Sequence, residues 1–219
     1  MVYDFHTHTL LSDGDLLPIE LIRRAIVAGY EAIAITDHVS ASNVERVVSE
    51  TVRDCEIAER EWGITAIPGV EITHVPPNSI EEVVKLAKRA GAEIVVVHGE
   101  TIVEPVERGT NMAALGCSID VLAHPGLLSL EEATLAKDNE VFLEVTAKAG
   151  HSLTNGHVVA VGRKAGARFL INSDAHAPSD LLNGEKAKRI ALGAGLTKEE
   201  SAVVLEKNPE ILLKRLGRL

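Results

Sequence analysis

Glutamine is absent from this 219-residue chain, and aromatic residues are scarce, with one Trp, two Tyr and three Phe. So few rings leave an aliphatic core as the only large one available, and they supply little for the stacking surfaces that hold single-stranded nucleic acid. The only cysteines, Cys55 and Cys117, fall in segments read as helical and lack CxxC spacing. They are expected as free thiols, neither a disulfide nor a zinc knuckle. No apolar run approaches the roughly 20 residues of a membrane span. The start of the chain enters a strand pattern at Val2 to Phe5, without the basic opening and apolar stretch of a signal peptide. A cytoplasmic protein is the expectation. Plentiful Glu, Lys and Arg beside no Gln is the bias of heat-adapted proteins.

Apolar residues make up 46% of the chain, which is ample for a sizeable core. The length suits one α/β barrel, a fold that runs to about 200–250 residues. The formal charge of −10 counts against nonspecific nucleic-acid binding. Three bound divalent cations would bring it to about −4, so overall acidity leaves room for a local phosphate site.

Short apolar runs alternate with amphipathic stretches. Strands are predicted near 2–6, 31–36, 64–71, 93–98, 119–123, 140–145 and 168–172. Helices are predicted near 17–28, 43–61, 79–90, 107–116, 129–137 and 153–166. Pro18 suits a first helical turn, Asn78-Ser79 before Glu81-Glu82 suits an N-cap, and Gly29, Gly91 and Gly166 suit left-handed stops. One or two further helices are predicted over 197–217, with Pro209 at a break or a helix start. Nothing marks a domain boundary, so residues 1–219 are read as one domain with C-terminal helices from about 180. Seven strands alternating with helices imply parallel βα units. The strands are continuously apolar (Ala32-Ile33-Ala34-Ile35, Ile94-Val95-Val96-Val97), as when both faces are covered.

Nearly every predicted strand ends in a metal-type ligand. The series is His6-Thr7-His8 with Asp13 beyond, Thr36-Asp37-His38, Gly69-Val70-Glu71, His98, His124-Pro125, and Ser173-Asp174-Ala175-His176. Residues two apart share a strand face, so His6 and His8 can point together, as can Asp174 and His176. In a parallel barrel these ends open on one rim, whereas an open sheet would spread them along a line. A barrel is therefore favoured. Imidazole and carboxylate ligands without thiolate suit Zn, Mn or Fe.

The order of these motifs resembles the polymerase and histidinol phosphatase (PHP) family over residues 1 to about 180. The resemblance implies a distorted, TIM-like (β/α)7 barrel with a trinuclear metal centre. By that resemblance His6, His8, Glu71 and Asp174 hold one metal, and a bridging Glu71 with His98 and His124 holds the second. Asp13, His38 and His176 hold the third. Many members carry a histidine where this chain has Asp13, which makes the third site harder.

Two or three divalent cations a few ångströms apart acidify a bridging water and neutralise a phosphoryl group under attack. The expected activity is a metal-dependent phosphatase or phosphodiesterase acting on a small phosphorylated metabolite, histidinol phosphate being one candidate. Its nucleophile would be a metal-bridged hydroxide, with Glu71 fixing the cations and Asp174 the candidate to manage protons. A nuclease trimming nucleic-acid ends is the second reading, and a noncatalytic metal-stabilised subunit the third. Substrate contacts are expected from Lys148, His151 and Arg163, with a solvated helix face an equal alternative for Arg163. Asp4 shares the strand phase of His6 and is a candidate to orient an imidazole, and His74 is expected on a surface loop. Oligomeric state is not readable from the sequence.

Overall fold

Runs of Val, Ile and Ala form the strands, and glycines in the left-handed region stop several of the helices between them. The computed structural model describes residues 2–219. It opens with β1 (Val2–Asp4), α1 (Pro18–Val27), β2 (Tyr30–Ile35), a two-residue β3 (His38–Val39), α2 (Val44–Trp62) and β4 (Thr65–Ile72). Then come α3 (Ile80–Ala90), β5 (Ile94–His98), α4 (Thr110–Leu115), β6 (Val121–Ala123), α5 (Leu130–Asp138), β7 (Phe142–Thr146), α6 (Asn155–Ala165) and β8 (Phe169–Asn172). The helices α7 (Gly184–Gly193), α8 (Lys198–Ala202) and α9 (Asn208–Arg215) close the chain.

The strands β1, β2, β4, β5, β6, β7 and β8 pair in that order, all parallel. The result is a near-closed barrel of seven parallel strands with the helices outside, as the alternation implied. Gly29, Gly91 and Gly166 take φ of 84°, 108° and 77°, the predicted stops. The thiols are free, Cys55 buried and Cys117 half-buried.

Some details depart from or refine the expectation. Beyond β2 the chain resumes as β3, which pairs with the second half of β4 and sets His38 opposite Glu71. Ser79 makes no capping bond, because a 3₁₀ turn over Pro77–Ser79 leads directly into α3. Residues 184–193 form α7, within the C-terminal helical region expected from about 180 but ahead of the helices predicted over 197–217. Pro209 falls in the first turn of α9, the helix start allowed for it, and α8 runs into α9 through a π-turn at Val203–Lys207. A wider turn accommodates a proline that cannot donate its bond and would otherwise press on the preceding turn.

The core has two shells. Phe5, Ala32, Ala34, Ile67, Ile94, Val96, Val121, Phe142 and Leu170 fill the barrel interior, where Leu212 and Leu213 of α9 join them. A larger aliphatic cluster lies between strands and helices. The tail thus plugs one end of the barrel, and Arg218 pins it through ion pairs to Glu59 and Glu93. The other end, where strands finish, stays open.

Between β1 and β8 no regular ladder forms, and the seam closes by other means. Thr7 and Ala175 make one parallel bridge, and Asp174 donates its backbone N–H to the His6 carbonyl at 2.9 Å. Nearer the plugged end side chains take over. Asn172 Oδ1 accepts from the Phe5 amide at 3.0 Å, and Asp4 accepts from the amides of Ser173 and His6 and from the Tyr30 hydroxyl. Burial pushes the Asp4 carboxyl up to about 6 against those hydrogen bonds. Asp4 therefore ties backbone across the seam and touches no imidazole ring. Asn172→Ala would orphan the Phe5 amide and remove a donor from Glu144. At roughly 1–3 kcal/mol per buried group left unsatisfied, a loss of about 3 kcal/mol is expected, or roughly 6–12 °C in Tm. A thermal melt within 2–3 °C of wild type (under about 1 kcal/mol) would show that the seam does not depend on this amide.

Candidate metal centre

The ligand candidates reach the open rim from the ends of the strands and the loops that follow them. His6 and His8 extend from β1, His38 lies in β3, Glu71 is the seventh residue of β4, and His98 ends β5. His124 follows β6, and Asp174 and His176 follow β8. His124 and Asp174 take φ of 25° and 53°, left-handed values unusual for non-glycine residues. Such strain collects at functional sites, where the surrounding structure enforces it; here it falls on two residues of the cluster.

The structure brings all nine together. Glu71 Oε1 lies 3.2 Å from His6 Nε2 and 3.5 Å from His124 Nε2, while Oε2 lies 3.6 Å from His8 Nε2 and 2.7 Å from His38 Nδ1. Asp174 Oδ1 is 3.3 Å from His8 Nε2, and Oδ2 is 3.6 Å from His124 Nε2. On the solvent side, Asp13 Oδ2 is 3.2 Å from His176 Nε2, and Oδ1 is 3.6 Å from His38 Nε2 and 3.9 Å from His8 Nδ1. Ligands bound about 2.1 Å from one ion sit about 3–3.5 Å apart, so much of this spacing suits shared cations. His8, presenting one nitrogen to each group, stands between two of them.

Satisfaction of buried groups points the same way. His6 Nε2, both nitrogens of His8, Glu71 Oε1 and His124 Nδ1 are buried without a hydrogen-bond partner. Each such atom ordinarily costs about 1–3 kcal/mol; those of His6, His8 and Glu71 face the cluster and fit cations, while His124 turns its other nitrogen, Nε2, toward Glu71 and Asp174. Burial opposes charge on Glu71, but His6 and His38 hold its carboxyl well below the usual range. Asp174 is likewise held low, burial being outweighed by His6, His8 and His124. Burial lowers His8 to about 4, and burial with the neighbouring His98 lowers His124 well below its ordinary value. Ionised carboxylates and neutral imidazoles are the forms that ligate metal. His6 differs: burial lowers it, yet Glu144, Glu71 and Asp174 together raise it well above the ordinary value.

Two of the three expected substrate contacts are at the rim. Lys148 Nζ lies 2.6 Å from His176 Nδ1, and His151 Nδ1 lies 2.7 Å from Thr101 Oγ1. Arg163 is not among them. At the far end of α6, it forms an exposed pair with Glu200 at 2.7 Å and donates to the Gly195 carbonyl. The solvated alternative holds for this residue. His74 sits on the loop after β4, 3.3 Å from Glu104.

Two carboxylates were missed by the sequence reading. Glu144 in β7 is fully buried and accepts from His6 Nδ1 at 2.7 Å, Asn172 Nδ2 at 2.9 Å and the His124 amide at 3.0 Å. A carboxylate in the apolar strand Phe142-Leu143-Glu144-Val145 was the available signal. Glu104 contacts His74, His98 and His151 from an irregular loop with no pattern to announce it. Asp37, the middle residue of Thr36-Asp37-His38, accepts from Thr9 and Ser12 and so clamps the loop that carries Asp13.

Residues 4–176 match the PHP domain. The chain belongs to the PHP family of metal-dependent phosphoesterases. An uncharacterised protein from Methanocaldococcus jannaschii is 50% identical over 218 residues, covering 99% of this chain and all of that one. A 5'-3' exoribonuclease from Haemophilus influenzae is 39% identical over 71 residues, 32% of this chain and 23% of that protein. Among solved structures, the metal-dependent tyrosine phosphatases YwqE from Bacillus subtilis and CpsB from Streptococcus pneumoniae share the fold. The TM-score is 0.63 at 19% identity, covering 97% of this chain and 94% of that one. This PHP protein is a metal-dependent hydrolase, and its histidine and carboxylate clusters fit divalent metals. Acidity alone does not remove nucleic acid from consideration, because exoribonucleases are among the relatives. No helix among the described residues is long and apolar enough to cross a membrane.

Proposed function

We propose that this PHP protein is a phosphatase for a small phosphorylated metabolite, with three divalent cations (Zn, Mn or Fe) at the open rim. The observation that carries this reading is the gathering, in overlapping clusters, of nine ligand side chains, four of which (His6, His8, Glu71 and His124) carry buried nitrogen or oxygen atoms without a hydrogen-bond partner. His6, His8, Glu71 and Asp174 would hold one ion, Glu71, His98 and His124 the second, and Asp13, His38 and His176 the third. When bound, such ions supply an acidified water as nucleophile and neutralise phosphoryl charge.

The chain's own groups do the rest. Glu71 directs its two oxygens to different imidazoles and so fixes how far apart their partners stand. Lys148 brings a positive charge to the mouth beside His176, where it can hold a phosphoryl oxygen. Asp174, its oxygens beside His8 and His124, is the carboxylate assigned to proton handling within the site. No Phe, Tyr or Trp is exposed on a loop that follows a strand, among the described residues, so a stacked polynucleotide lacks its usual platform here. That favours a small substrate.

The local likeness to exoribonucleases supports a second reading, removal of nucleotides from an RNA end. One assay separates the two. Metal-loaded protein should release phosphate from small monoesters across a broad panel while leaving end-labelled RNA intact. Stepwise shortening of the RNA with no phosphate release from small esters would replace the first reading by the second.

A further inference from the structure

The loop between β5 and α4 is held at both ends and inward-facing at its tip. Glu100 anchors it, accepting from the amides of Gly109 and Asn111, while the Asn111 side chain accepts from the Glu100 amide and donates to the Pro125 carbonyl. Beyond the anchor, Ile102 and Val103 are exposed. Glu104, its side chain 37% exposed, nevertheless turns toward the barrel mouth. Its Oε2 lies 3.1 Å from His98 Nε2 and 3.3 Å from His74 Nε2, and its Oε1 lies 3.3 Å from His151 Nε2.

An isolated surface carboxylate gains little from an exposed ion pair, so one that turns both oxygens to three imidazoles points to a stronger partner. His98 shows what that partner is. Its Nδ1–H is directed to the Gly99 carbonyl at 3.1 Å, which leaves Nε2 to present a lone pair to the Glu104 carboxylate. A lone pair and a carboxylate oxygen at that distance repel unless a proton or a cation lies between them. His151 is set similarly, with Nδ1 engaged by Thr101 and Nε2 facing Glu104. His98, His124 and His151 offer nitrogens within 4.8 Å of one another, and the rings of His124 and His151 stack at 4.2 Å.

We infer that Glu104 and His151 complete the second cation site, giving it, beside Glu71, three buried histidines and one carboxylate delivered by a loop. This rests on the metal centre proposed above, and it assigns two ligands beyond the nine. Because His98, His124 and His151 are buried and Glu104 is not, Glu104 is the ligand that can swing away and let a substrate oxygen take its place.

The test titrates metal-free protein with Mn²⁺ by calorimetry and counts bound metal after gel filtration. Wild type, Glu104→Gln and His151→Phe are compared. Wild type that binds no metal would overturn the metal centre itself, and this inference with it. With wild type loaded, Glu104→Gln should lose one ion per chain, or bind it at least about tenfold more weakly, with the remaining sites unchanged. His151→Phe, which keeps the stacked ring, should weaken the same site. Glu104→Gln retains a hydrogen-bond acceptor at the same place, so a merely orienting role would leave binding intact. Wild-type count and affinity in Glu104→Gln would overturn the assignment; should His151→Phe fail to fold, the result with this exposed loop residue decides alone.

Discussion

Glu71→Ala is expected to remove two cations and to lower phosphate-ester turnover by on the order of 10³-fold or more. The size follows from electrostatics. Metal ions stabilise transition-state charge by several kcal/mol, and about 4 kcal/mol corresponds to roughly 10³ in rate. Glu71 is fully buried, and its two oxygens lie within 3.6 Å of His6, His8, His38 and His124, so no water can replace it without rearrangement. A residue serving one ion would cost one ion; a bridging one costs two. Metal analysis of the purified variant therefore gives a result independent of any assay. Glu71→Gln keeps the shape but loses the charge, and should bind metal almost as poorly. Full metal content in both variants would contradict the bridging role, whatever happened to turnover.

The nine ligand candidates were legible because strand geometry does most of the placing. A residue at the end of a parallel strand must reach one rim of a closed barrel, so recurrence of His and Asp at that phase is itself three-dimensional information. Glu144 obeys the same geometry from β7 yet went unread, since a lone Glu within an apolar strand looks like an ordinary outward position. Its partners His6 and His124 are 138 and 20 residues away, beyond any local pattern. Glu104 depends on how an irregular loop folds back, which periodicity cannot reach. Arg163 failed for the opposite reason: its helix does begin at the rim, but it sits at the other end of that helix, facing Glu200. Asp4 was assigned the right strand face and the wrong partner, because the seam between β1 and β8 lacks backbone pairing there and takes the carboxylate instead.

The plug at the far end shows the same division. The helical content of 198–215 follows from composition, whereas the role of Leu212 and Leu213 in filling the barrel interior depends on a long return of the chain. With one end sealed by these side chains and by Arg218, the open end is left for chemistry. The histidine clusters then occupy a mouth whose floor is the dry aliphatic interior. That floor strengthens the interactions above it, since charges at its edge are poorly screened.

Glu144→Gln should weaken metal binding by roughly 10–100-fold, the usual cost of removing a partner that orients a ligating histidine. All three groups that meet Glu144 are donors: His6 Nδ1–H, the Asn172 amide and the His124 backbone N–H. Two carboxylate oxygens satisfy them, and by accepting from His6 Nδ1 they fix the tautomer that offers Nε2 to the cluster. A glutamine supplies one oxygen and two hydrogens, so at least one buried donor must face another. If the His124 amide is the loser, the backbone held at φ 25° is released; if His6 is, its tautomer is no longer set. Either outcome reaches the metals, and a stability loss of about 1–3 kcal/mol in metal-free protein should accompany it. The discriminating measurement is metal affinity at a temperature well below the variant's melt. A folded Glu144→Gln protein that binds metal as wild type does would show that the imidazoles are held by their surroundings and that this carboxylate is a packing residue alone.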